Sequence, residues 1–176
     1  VNKTASAALM AQSASVRAGA DATASQKTLR MKKPSDRLHS FALILVYSIA
    51  CDDPNVSSFG GSKALAHLAQ FVQATEMYFH PSNWGPWQEQ LATFVQHLTW
   101  TFARRVKAEK QDDCRTPAEW RITPRIQEEF VRILRTVCLL SLFSKDPVTS
   151  LSTQSSLMRM SFLQPELILT YIHQRN

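Results

Sequence analysis

Glycine is scarce in this chain, four residues in 176. Alternating apolar–polar runs are equally scarce. A β-rich fold, which needs both many turns and period-two strands, is therefore excluded. Cysteine is sparse too: Cys51, Cys114 and Cys138 show no CxxC or metal-ligand spacing. An odd cysteine count without a secretory signal points to a reducing compartment. Long apolar runs are missing. The longest, Phe41 to Ala50, is about half of the 20 or so residues that a bilayer-spanning helix needs, and it reads as a buried helix. There is no glycine-rich phosphate loop, no HExxH and no GxSxG, which removes the nucleotide-hydrolase, zinc-peptidase and serine-hydrolase classes that depend on them. The five histidines, His39, His67, His80, His97 and His173, are scattered. His80 is expected to hydrogen-bond within its own turn. Cys138 reads as a small core residue, and Cys114, beside Arg115, as the more reactive thiol. The acidic pairs Asp52-Asp53 and Asp112-Asp113 read as solvated loops, and Glu128 and Glu129, adjacent on a helix, point apart. The expectation is a protein that is not an enzyme, with no catalytic, cofactor-binding or metal-binding residues.

Charge is present but unevenly placed. The formal net charge is +6, and residues 1–37 hold seven cations against Asp21 and Asp36. That stretch is rich in Ala, Ser and Thr and poor in large apolar groups, so burial cannot offset its chain entropy. Residues 1–37 are expected to be a disordered, low-complexity basic tail, with nascent helix at most over Thr4–Gln12. A basic tail can touch nucleic acid or an acidic surface. The simpler reading is a solvated tail, since its cations are diluted among small residues.

Residues 38–176 carry helical periodicity throughout. The chain's organising stretch runs from Tyr78 to Lys110. After the turn Phe79-His80-Pro81-Ser82-Asn83, the residues Trp87, Leu91, Phe94, Val95, Leu98, Phe102 and Val106 recur at steps of three and four, one face of a long helix. Arg104, Arg105, Lys107 and Lys110 close it, cations suited to the negative end of the helix dipole. With Trp100 these form a basic, aromatic end that would suit an anion, or else a plain solvated face. Upstream, Leu38–Ala50 reads as a helix, Cys51–Gly61 as a loop, and Ser62 as the cap of a helix to about Phe79 with Leu65, Leu68, Val72 and Thr75 inward. The short turn after it predicts an antiparallel pair with the long helix. Downstream, Thr116-Pro117-Ala118-Glu119 reads as a capping box before a short turn carrying Trp120. Thr123-Pro124 starts a helix with Ile126, Phe130, Ile133, Val137 and Leu140 as its stripe. Ser144 to Pro147 stops it and caps the next, in which Val148, Leu151, Ser155, Met158 and Phe162 step by three and four. Pro165 begins a last helix with Leu167, Ile168, Tyr171 and Ile172 inward.

The wording of two blocks goes further than periodicity. FHPSNWGPW, followed by a helix ending FARRVKAE, and RTPAEWRITPRIQEEFVRILRTVCLLSLFSKDP (Arg115 to Pro147) resemble the large HEAT-repeat proteasome activator family, single-chain caps of the proteasome core particle. With GSKALAHLAQFVQATE these blocks span Gly61 to Pro147. The resemblance implies an all-α fold, an α-solenoid of HEAT-like antiparallel helix pairs over residues 38–176, in which each repeat leans on its neighbours. It further implies a scaffold segment, without chemistry of its own, of an ATP-independent activator that caps the core particle and promotes substrate entry, in nucleus and cytoplasm, with links to DNA repair. Partners would be the core particle, through the full-length parent, and neighbouring repeats; a membrane is not expected and nucleic acid is disfavoured. Inositol phosphate binds some intact members in basic channels, but no such site maps onto these residues, and no cofactor is expected.

Two departures stand out. The family runs a motif like KTASAALM directly into a helix ending IVYSIA; here Lys3–Met10 and Leu45–Ala50 are separated by roughly thirty low-complexity residues. The family's terminal hydrophobic-Tyr-X tail is absent from Ile172-His173-Gln174-Arg175-Asn176, so by itself the chain is expected neither to open the gate nor to form a dome. The competing readings are a generic helical-repeat adaptor, which fits the fold equally, and a nucleic-acid binder using the tail. Uncovered repeat ends also predict self-association, with Phe162, Ile168 and Ile172 partly bare.

Overall fold

A computed structural model describes the backbone of residues 34–83 and 85–173, and the side chains of 35–83 and 85–169. The expectations for residues 1–33, and for the side chains of Tyr171 and Ile172, lie outside the described residues. Among the described residues there are six α-helices and no strand: α1 (Pro34–Ser48), α2 (Lys63–Thr75), α3 (Pro86–Glu109), α4 (Pro124–Ser141), α5 (Pro147–Leu163) and α6 (Pro165–His173). Short 3-10 turns lie at Ser58–Gly61, Glu76–Phe79 and Ala118–Trp120.

Five of the six helices open with proline, the position where a missing N–H costs nothing. At α4 and α5 the predicted caps are made: the Thr123 hydroxyl accepts from the Ile126 N–H at 3.2 Å, and the Asp146 carboxylate accepts from the Thr149 N–H at 2.7 Å. Two other predicted caps are replaced. The Ser62 side chain caps nothing; the Asp52 carboxylate reaches across the loop to accept the Lys63 N–H at 2.8 Å. Asp53 closes its own turn by accepting from the Asn55 N–H at 2.9 Å, so this acidic pair is structural rather than merely solvated. Thr116 and Glu119 make no capping box, and the turn Ala118–Trp120 follows Pro117 without a side-chain cap.

The helices form two layers. α3 packs along α1 on one side and α5 on the other; α4 packs against α2 and meets α6. α4 and α5 join the layers, and α6 lies on α5. Odd-numbered and even-numbered helices thus separate, as an α-solenoid requires. The turn between α2 and α3 does not produce the predicted close pair. Their backbones diverge, and they meet through the rings of Phe71 and Phe94, centroids 5.8 Å apart and nearly perpendicular. The reason is that the main partners of α3 are α1 and α5, while α2 is held by α4.

The core runs between the layers. Phe102 of α3 stacks on Phe130 of α4 at 3.8 Å, and Leu65, Leu68, Leu98, Ile126, Leu134 and Met160 surround them, all fully buried. The Cys51–Ser62 loop is tied by the Gly61 carbonyl, which accepts from the N–H groups of Asp52 and Asp53. Gly61 has φ +75°, and a Cβ there would stand 2.2 Å from the Asp53 carbonyl oxygen, so no other residue fits.

Candidate functional site

The predicted basic end of α3 is where the structure departs most from a surface reading. Arg105 is buried, 4% exposed. Its Nη1 donates to the carbonyls of Val46 (2.6 Å) and Ile49 (2.8 Å), at and just past the C-terminal end of α1. Its Nη2 donates to the Trp120 carbonyl at 2.6 Å, and its Nε to Glu109 at 2.7 Å. The other Glu109 oxygen accepts the Ile122 N–H at 2.7 Å. One guanidinium therefore ties carbonyls at and just past the C-terminal end of α1 to the α3–α4 connection, a use for which arginine's rigid fork is suited. Four of its five N–H groups are spent on these contacts, so it reads as a structural link rather than a solvated helix-end cation. Arg104, in contrast, lies over the Trp100 ring at 5.3 Å and is exposed. Sequence spacing cannot separate the two, because both are cations on the last turns of one helix.

Two of the scattered histidines are brought together. The rings of His39 (α1) and His97 (α3) lie 5.0 Å apart, with Trp100 5.6 Å from His39 and the Ser35 hydroxyl 3.4 Å from His97 Nε2. Burial, and secondarily the neighbouring His39, hold His97 below the usual imidazole pKa. Among the described residues no three His, Cys, Asp or Glu side chains form a metal-binding group. His80 does bond within its turn, its Nδ1 accepting from the Ser82 N–H at 3.2 Å. Cys138 lies in the core, where burial pushes its thiol up to about 12. No helix among the described residues is long and apolar enough to cross a membrane.

What remains as a candidate site is a pair of apolar surfaces. The first is a groove of about 720 Å³ where α1, α2 and α3 diverge. Leu38, Phe41 and Ile44 line it from α1, His67 and Phe71 from α2, and Trp87, Leu91 and Phe94 from α3. Trp87 is 67% exposed and Leu91 and Phe94 are only half-buried, because they edge this groove instead of the seam predicted for them. No Asp, Glu, Lys or Arg lines it.

The second surface is a ridge on α5. Val148, Leu151, Met158 and Phe162, the stripe that periodicity points inward, are exposed, Phe162 by 82%. The buried face of α5 is Thr149, Ser152, Thr153 and Ser156, together with Leu157 and Met160. These hydroxyl residues meet α3, where Ser152 lies 3.4 Å from the Gln96 amide oxygen and Thr99 is fully buried. Ser156 donates to the Ser152 carbonyl within α5, so its own polar group is satisfied. Small side chains let the two helices approach closely, and α3 is the helix that α5 contacts most extensively. Ile168, expected to be bare, is 3% exposed and belongs to the core.

The comparisons with known proteins bear on this layered array. The profile of the family described as "Proteasome activator complex subunit 4, mid HEAT repeats region" matches residues 68–176. The chain belongs to that family. The match runs beyond Pro147, the end of the two sequence blocks, and takes in α5 and α6. Similar proteins include "Proteasome activator subunit 4" of Arabidopsis thaliana, 30% identical over 115 residues, and "Proteasome activator complex subunit 4" of Homo sapiens, 30% identical over 122. A third is "Proteasome activator complex subunit 4A" of Danio rerio, 31% identical over 120 residues. These alignments cover 65%, 66% and 62% of this chain and 6% of each relative. This segment of the proteasome activator family is thus a HEAT-type helical scaffold spanning a small part of its relatives' length.

Proposed function

We propose that this chain is a structural segment of an ATP-independent proteasome activator, one that caps the core particle and favours substrate entry without performing chemistry. The observation that carries this reading is the family match over residues 68–176, which coincides with helices stacked in two layers and apolar at both ends of the array. In a solenoid each repeat is stable only against its neighbours, so such a segment contributes curvature and rigidity to a larger shell. The core particle is then the partner of the whole shell, and this segment acts by holding other segments in place. Its residence would be nuclear and cytoplasmic, with DNA repair as a downstream setting. No cofactor is needed for this role, and no inositol phosphate site is assigned to these residues. The generic adaptor reading fits the fold but has no support from the family match.

The test is a transplant. The corresponding segment of the Arabidopsis relative is replaced by residues 38–176, and the purified chimera is mixed with core particles without ATP. Expected is stimulated peptide hydrolysis close to that of the unmodified activator. A folded chimera that binds core particles yet gives no stimulation overturns the reading.

A further inference from the structure

α1 is held differently at its two ends. Its second half is fixed: Ala42 and Val46 are buried in the core, and Arg105 donates to the carbonyls of Val46 and Ile49. Its first half has no such hold. No residue from Ser35 to Phe41 is buried, and Leu38, Phe41 and Ile44 border the open groove. α3 is the helix that α1 packs along. What joins the first half of α1 to α3 is chiefly the half-buried pair His39 and His97, their rings 5.0 Å apart, with Ser35 on His97 and Trp100 beside His39.

Those rings pack well only while at least one is neutral. The charged groups around them come from three helices: Asp36 from α1, Arg159 from α5, and on α3 Arg104, which lies over Trp100; Gln96 is a polar neighbour. Charging both rings would set two imidazolium ions, Arg159 and Arg104 against the Asp36 carboxylate, in a gap where burial already disfavours charge. The Ser35 hydroxyl can donate to a neutral ring or accept from a charged one, so it opposes neither state. The depressed pKa of His97 has the same origin, burial first and His39 second.

We propose that the His39–His97 pair is a pH-sensitive latch: in acid both rings charge, and the first half of α1 parts from α3 while Arg105 keeps the second half in place. The opening uncovers His97 and widens the groove that Leu38, Phe41 and Ile44 border. The core between the layers stays folded, because neither histidine is buried in it. The inference stands apart from the proteasome reading.

Hydrogen exchange of the full 176-residue chain, read by mass spectrometry at pH 7.5 and pH 5 and corrected for the chemical exchange rate, tests it. The amides of residues 38–44 should lose protection about tenfold in acid, while those of residues 124–141 keep theirs. His39→Gln and His97→Gln should each keep residues 38–44 protected at both pH values, since one ring alone cannot supply the repulsion. If either variant melts early at pH 7.5, His39→Phe or His97→Phe replaces it. Protection of residues 38–44 that is absent at pH 7.5, unchanged by acid, lost together with that of residues 124–141, or still lost in acid in either variant overturns the proposal.

Discussion

α4 and α5 follow one another in the chain, and each carries a stripe at steps of three and four, broken in α5 by Ser155, yet the stripes face opposite ways. In α4 most of the stripe enters the core: Ile126, Phe130 and Val137 are buried, as period 3.6 predicts, while Ile133 and Leu140 are half-buried and Val131, Leu134 and Cys138 take the inner positions beside them. In α5 the stripe faces out, and Thr149, Ser152, Thr153 and Ser156 face in. The difference lies in what each helix meets. α4 is enclosed by α2, α5 and the 3-10 turns, and fills the space between layers with large side chains. α5 lies close against α3, where bulk has no room and hydroxyl groups can bond to their own helix. A periodic stripe therefore shows that a helix has an apolar face; it does not show which neighbour covers that face.

The comparison can be broken most sharply at paired phenylalanines. Phe130→Ala should cost about 3–5 kcal/mol, through lost burial and the vacated stack on Phe102. Phe162→Ala should move stability by no more than about 0.5 kcal/mol, because its ring is in solvent. Chemical denaturation of both variants measures this, and equal losses would mean that the α5 stripe is buried after all. Next, Ser156→Leu should cost about 1–3 kcal/mol by forcing α5 off α3, although periodicity alone would count an added leucine as harmless. The same titration detects it. Smaller still, Thr123→Ala and Asp146→Ala should each cost about 1 kcal/mol. The two helices begin in the same way, so a marked inequality between these caps would show that the difference between α4 and α5 starts at their termini.

The other flank of α3 gives a contrast in pH. His97 is held below its ordinary pKa at the α1 interface, facing His39 and Ser35 of α1, with Asp36, Gln96, Trp100 and Arg159 around the same cavity. With a depressed folded-state pKa, the unfolded chain binds its proton first. The contribution of His97 is whole above the unfolded value, near 6.5, and is lost as pH falls through the folded one. Melting curves from pH 7.5 to 5 should show decreasing stability, and His97→Phe should flatten that slope. An unchanged slope in the variant would assign the pH dependence elsewhere. The α3–α5 seam, built of hydroxyls and amides, should contribute nothing to it.

Much of this was legible beforehand. Helix starts at Thr123-Pro124 and Asp146-Pro147 follow from cap and proline chemistry within four residues, and they are where expected. The all-helical class and the family were legible in the two motif blocks. Arg105 was not. A cation at a helix C-terminus ordinarily interacts with its own helix and water, and only the arrival of α1, more than fifty residues upstream, makes it a buried donor. The Asp52 cap on α2 was hidden for the same reason, since it acts across eleven residues of loop. The His39–His97 contact has no sequence signal, because each histidine is unremarkable on its own helix.

Local chemistry, then, was settled by the sequence: which segments are helical, where prolines and hydroxyl or carboxylate caps begin them, and that each helix has an apolar side. Those are effects of nearest turns and of period 3.6, which a single strand of residues carries in full. The tertiary structure decided which side each helix shows to which neighbour. It placed the hydroxyl face of α5 on α3, left a groove where α2 parts from α3, and buried Arg105 under α1. Those outcomes depend on the volume left between helices far apart in the chain, and that volume exists only once the layers have packed.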